Sequence, residues 1–202
     1  MNEQQLAKRV RRLEVLLLAA LVLVSGSIGF AGRTMRQQTF DTVDVRLLRV
    51  VDDQNRPRFL IGAPLPDPQV QGQVYERSRP VPGIQFLDTL GNETGGIGIF
   101  DDIDGGGLCF DHKTAEAVCL TKANRLGFIG LSMLDQPAPG SSVGQTGSER
   151  VQLAASGGTS HLVLSDSEGR PRVRLVVDSL GMGRIEVLDA AGSPIFRVPE
   201  GL

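Results

Sequence analysis

Beyond residue 40, apolar residues alternate with polar or small ones in short runs broken by turn residues. Ile84/Phe86, Ile97/Ile99, Leu108/Phe110, Val118/Leu120, Val151/Leu153, Leu162/Leu164, Val173/Leu175/Val177 and Ile185/Val187 all fall two apart. A period of two places one set of side chains on one side of a pleated strand. The runs therefore predict an all-β domain of antiparallel strands, one face buried and the other wet.

A turn signature recurs with the runs. Val50 to Phe59, Leu164 to Val173 and Val187 to Phe196 share one order: apolar, any, Asp, any, any, Gly or Asn, any, Pro, any, apolar. Looser copies centre on Asp88, Asp111 and Asp135. The aspartates at 52, 88, 111, 135, 166 and 189 are separated by 36, 23, 24, 31 and 23 residues. The two long intervals hold insertions, Pro64 to Pro82 with its five prolines and Gln136 to Ser148, rich in Gly, Ser and Pro. With these set aside the period is about 23 residues, giving six hairpin units. Asp52, Asp88, Asp111, Asp135, Asp166 and Asp189 read as structural turn residues, because a carboxylate there accepts backbone N–H groups two residues on. Gly169 and Gly192 supply the positive φ that leads back into a strand. Glycines near 83, 106, 127, 158 and 183 mark the return turns. A lone hairpin is marginal in water, so the units must lie against one another. A stacked hairpin meander or solenoid is the favoured arrangement, with a barrel or sandwich as alternatives.

The N-terminal pattern is different. Residues 13–31 read LEVLLLAALVLVSGSIGFA, with Glu14 as the one charge. As a helix this run is about 28 Å long, close to the bilayer's apolar thickness. Lys8, Arg9, Arg11 and Arg12 precede it and only Arg33 and Arg36 follow closely. The bias leaves residues 1–12 as a cytoplasmic tail, 13–31 as a single transmembrane anchor and 32–40 as a linker, and exports 41–202. A cleaved signal peptide is the rival, with Val15 to Val24 as its apolar core and Gly29-Phe30-Ala31 as its cleavage pattern. Both readings export the domain. Leu6, Val10, Leu13 and Leu17 form a short stripe that could seed helix association.

Composition narrows the function. The net charge is −2, and past Arg36 the basic residues alternate with carboxylates, so no nucleic-acid partner is expected. There is no Trp and one Tyr, which weighs against stacking platforms for sugars or bases. Only His112 and His161 are available for imidazole chemistry, no nucleophile elbow occurs, and no cofactor is expected.

The stretch Gly83-Ile84-Gln85-Phe86-Leu87-Asp88-Thr89-Leu90-Gly91-Asn92-Glu93-Thr94-Gly95-Gly96-Ile97, followed by Gly107-Leu108-Cys109-Phe110-Asp111, resembles a group of uncharacterised bacterial membrane-anchored β-repeat proteins. That resemblance covers most of residues 40 to 135. It implies a bacterial source and supplies no function. The Asp166 to Arg170 segment is also similar to YD-type repeats of bacterial toxin shells, but it lacks their tyrosines and shares only the turn chemistry.

Few residues offer chemistry. Cys109 and Cys119 would face each other if the hairpin turns around Thr114, making a disulfide possible in an oxidising compartment. A one-residue slip would leave two separate thiols. Asp101, Asp102 and Asp104 beside Gly105-Gly106-Gly107 are candidate calcium ligands, against the plainer reading of an acidic solvated turn. Three functions follow, in order of preference: a non-enzymatic envelope interaction or scaffold module with a protein partner, an oligomeric surface fibre or adhesin, and a carboxylate enzyme. The last would need two non-repeat acids, such as Glu93 and Asp102, within about 5–9 Å.

Overall fold

The computed structural model describes residues 11–18 and 39–199. Fourteen strands make up the β domain: β1 Leu47–Val51, β2 Pro57–Gly62, β3 Gln69–Val70, β4 Gln73–Val74, β5 Gly83–Leu87, β6 Glu93–Phe100 and β7 Gly105–Asp111 come first. Then follow β8 Glu116–Ala123, β9 Phe128–Leu134, β10 Glu149–Ser156, β11 Thr159–Ser165, β12 Pro171–Val177, β13 Gly183–Leu188 and β14 Pro194–Val198. Twelve strands form one antiparallel sheet in chain order, from β1 to β14, with β3 and β4 set apart as a small hairpin inside the first insertion. The sheet does not close: β1 and β14 are its two edges, so no barrel forms.

Five turns share one hydrogen-bonding scheme. In each, the Asp Oδ1 accepts the N–H groups two and four residues on: Gln54 and Arg56 onto Asp52 (3.0 Å each), Leu90 and Asn92 onto Asp88 (2.8 Å each). Asp166 accepts from Glu168 and Arg170, and Asp189 from Ala191 and Ser193, in the same way. The third residue after the Asp is left-handed, with φ of 61° at Asn55, 84° at Gly91, 76° at Gly169 and 82° at Gly192. Asp178 makes the fifth such turn, bonding Leu180 and Met182 between β12 and β13. That turn was not among the six expected. Conversely, Asp111 and Asp135 lack the device, because Thr114 and Ala138 stand where the left-handed residue would be. Asp111 ends β7 over a tight loop in which His112 N–H bonds the Ala115 carbonyl, while Asp135 opens the second insertion. Among the expected return glycines, Gly127 and Gly158 lie in turns and Gly83 and Gly183 are the first residues of β5 and β13, while Gly106 lies inside β7.

Residues 11–18 are helical, which takes in 13–18 of the 13–31 span expected as an anchor; the rest of that span lies outside the described residues, as do Leu6 and Val10. Among the described residues, no helix is long and apolar enough to cross a membrane.

Candidate functional site

The strand register aligns the apolar alternation into two continuous rungs. The first runs Leu48, Ile61, Ile84, Ile97, Leu108, Leu120, Leu131, Leu153, Leu162, Leu175, Ile185 and Val198, one residue from every strand of the sheet. The second, two residues nearer the Asp turns, runs Val50, Phe59, Phe86, Gly95, Phe110, Val118, Met133, Val151, Leu164, Val173, Val187 and Phe196. Gly95 is the one gap. Across it the Phe86 and Phe110 rings lie 5.9 Å apart, and Phe59 packs edge-on to Phe86 at 5.7 Å.

This face is not the core. No side chain in either rung is buried, and Phe110, Leu120, Leu153 and Phe196 are about half exposed. The expectation of a buried apolar face is therefore reversed in a single copy. Burial falls on the opposite face, which carries Gln85, Cys119, Ala123, Ala154 and Glu186, all 5% exposed or less. The two insertions fold over that side, where Leu65 and Val81 are buried and Gly144 N–H bonds the Thr114 carbonyl. Water is thus excluded from several positions of the polar face, while the face with the larger transfer free energy stays wet.

Beneath the insertions lies a cavity of about 530 Å³, whose walls include Leu65, Arg77, Val81, Glu93, Asp111 and Glu116. Arg77 bridges both Glu93 oxygens at 3.1 and 3.3 Å, and Gln85 Nε2 donates to Glu93 at 2.9 Å. Burial, with Glu93 and Glu116 nearby, pushes the Asp111 carboxyl up to about 6. Cys109 and Cys119 face each other directly in the register and are disulfide-bonded, with Cα atoms 4.2 Å apart. Glu116 lies near these sulfurs, but bonded sulfurs offer no thiolate to a metal. A proton could be held on Asp111, yet no activated nucleophile stands beside it among the described residues.

The remaining candidates are dispersed. Asp102 pairs with Arg79, Asp104 accepts from Asn124 at 3.2 Å, and Asp101 opens the same 3-10 turn. Among the described residues these three carboxylates form no cluster able to hold an ion. Glu93 and Asp102 flank β6, which as about 26 Å of extended chain keeps them apart. The convergence of Glu93, Asp111 and Glu116 was not legible in the sequence, since a bulge in each partner strand sets it. His112 Nε2 lies 3.2 Å from the Leu134 carbonyl, and His161 Nε2 lies 2.9 Å from Gln152 Oε1. Tyr75 bonds Gln73 within the first insertion at 3.1 Å. Comparison with family models and with curated proteins finds no match for this chain.

Proposed function

We propose that this chain is a non-enzymatic interaction or scaffold module of a bacterial cell envelope. Residues 13–31 anchor it, and the β domain, an array of hairpin units of about 23 residues, works on the far side of the membrane from residues 1–12. The observation that carries the reading is the pair of apolar rungs crossing all twelve strands, left uncovered by the domain itself. A contiguous apolar face of this extent marks an association surface, since leaving it in water costs about 25 cal/mol per Å². The enzyme reading has no such support, because its two acids stand at opposite ends of β6.

The test uses the full-length chain in bacterial membranes with single-cysteine probes and a membrane-impermeant thiol reagent. Leu153→Cys reports on the apolar face. Leu180→Cys reports on the β12–β13 turn, where Leu180 is 87% exposed. In osmotically opened cells with the inner membrane intact, Leu180→Cys is expected to label promptly and Leu153→Cys far more slowly. Equal labelling of the two would show an open face and end the interaction reading. No labelling at Leu180→Cys until the inner membrane is broken would end the exported placement.

A further inference from the structure

We infer that the apolar sheet face is covered by the same face of a second copy of this chain, a step that rests on the interaction reading above. Three observations select a second copy as the occupant.

The first is extent. Twelve strands at about 4.8 Å give a width of roughly 58 Å, and two rungs with their side chains give a height of about 14 Å. The product, about 800 Å² per copy, is what one partner contributes to a standard stable interface. No other element among the described residues matches it. A helix over 13–31 would be about 28 Å long and 10 Å across, covering less than half the width.

The second is composition. Neither rung holds a charged residue, and in the next row on that face, from Ile99 to Gly183, Lys122 is the one charge. Pairing the two rungs with themselves therefore opposes no like charges, which is the usual penalty of an isologous contact, and Lys122 lies in the row beyond them. The charged rows are on the other side, where Arg174, Arg184 and Arg197 surround the buried Glu186.

The third is periodicity. The first rung contains only Leu, Ile and Val, one per strand, so its ridges and grooves repeat at the strand spacing along the whole sheet. Face-to-face sheets pack about 10 Å apart at about 30°, and a second copy offers ridges at the spacing these grooves require. A two-fold axis near β8 and β9, the sixth and seventh strands of twelve, would centre the contact on the middle of the rungs.

The experiment is the molar mass of the full-length chain in mild non-ionic detergent, by sedimentation equilibrium, with the bound detergent density-matched. The expected protein mass is twice 21.6 kDa. The double variant Leu120→Asp/Leu153→Asp is expected to halve it, while Leu180→Asp leaves it unchanged. Should the double variant fail to fold, Leu131→Cys gives an independent reading: mild oxidation is expected to join two copies covalently, and Leu180→Cys under the same conditions is not. A monomer whose Leu153→Cys probe is still shielded in membranes would overturn the second copy while leaving the interaction reading intact. A dimer indifferent to the aspartates and to Leu131→Cys would place the contact elsewhere and overturn the inference. An open-ended series of masses would indicate edge pairing of β1 with β14 and overturn it too.

Discussion

Turn chemistry explains most of what single residues do here. An Asp that accepts two backbone N–H groups, followed by a left-handed Gly or Asn, closes five of the hairpins. The geometry needs an acceptor more than a charge. Asp88→Asn should therefore lower the thermal midpoint less than Asp88→Ala, measured by circular dichroism. Gly95 answers to a different constraint. Its φ is 138°, and a Cβ there would run into the Cys109 carbonyl oxygen. Gly95→Ala should destabilise the domain by about 2–3 kcal/mol, read from urea unfolding. The aspartates also split by pH. Hydrogen bonds from Arg56 hold Asp52 down at about 2, so its contribution is present above the ordinary value of 3.8 and fades as pH falls toward 2. Asp166 is lowered too; hydrogen bonds from Arg170, Arg172 and Glu168 outweigh its desolvation. Asp111 has the opposite sign. Burial raises it from 3.8 to about 6, so the folded state keeps a proton that the unfolded chain releases. Stability should fall as pH rises across that window, and Asp111→Asn should flatten the fall in unfolding curves taken at successive pH values. The repeat spacing placed Asp111 among the turn residues. Only the structure shows that Thr114, standing where Gly would be, frees its carboxyl for the cavity.

At the scale of elements, each of the six hairpins on the Asp52 side of the sheet carries a β-bulge at one position, in its second strand just after the loop. The extra residue is Arg58, Thr94, Ala117, Arg150, Arg172 or Ile195. A bulge re-aims a side chain, and where that residue is Arg it bonds the next hairpin along. Arg58 Nε donates to the Leu87 carbonyl at 3.1 Å, Arg150 Nε to the Ser165 carbonyl at 3.0 Å, and Arg172 to the Asp189 carbonyl. Arg58, Arg150 and Arg172 also reach Asp52, Asp135 and Asp166, so each ties its own turn to its neighbour. Arg150→Met keeps the stem and removes both bonds. It should cost about 1 kcal/mol, a charged hydrogen bond discounted for exposure, measured by chemical denaturation. The strands were legible because a period of two is a direct image of the pleat. The latch was not, although Arg-Pro-Arg stands in both of the tightest repeats, because only the bulge turns the second arginine toward the next hairpin.

The whole molecule departs furthest from what its sequence suggests. Alternation tells which residues share a face, and it correctly collects Leu120, Leu153 and Leu175 onto one side. It cannot tell which side the insertions will fold across. They fold over the opposite face, leaving the apolar rungs exposed in the single chain. A domain whose apolar face is covered only in an assembly draws part of its stability from mass action. The most direct measurement is the thermal unfolding midpoint of the detergent-solubilised full-length chain over a hundredfold range of protein concentration. The midpoint is expected to climb steadily with concentration, and Leu120→Asp/Leu153→Asp to remove the climb. A midpoint independent of concentration in the unsubstituted protein would contradict the account.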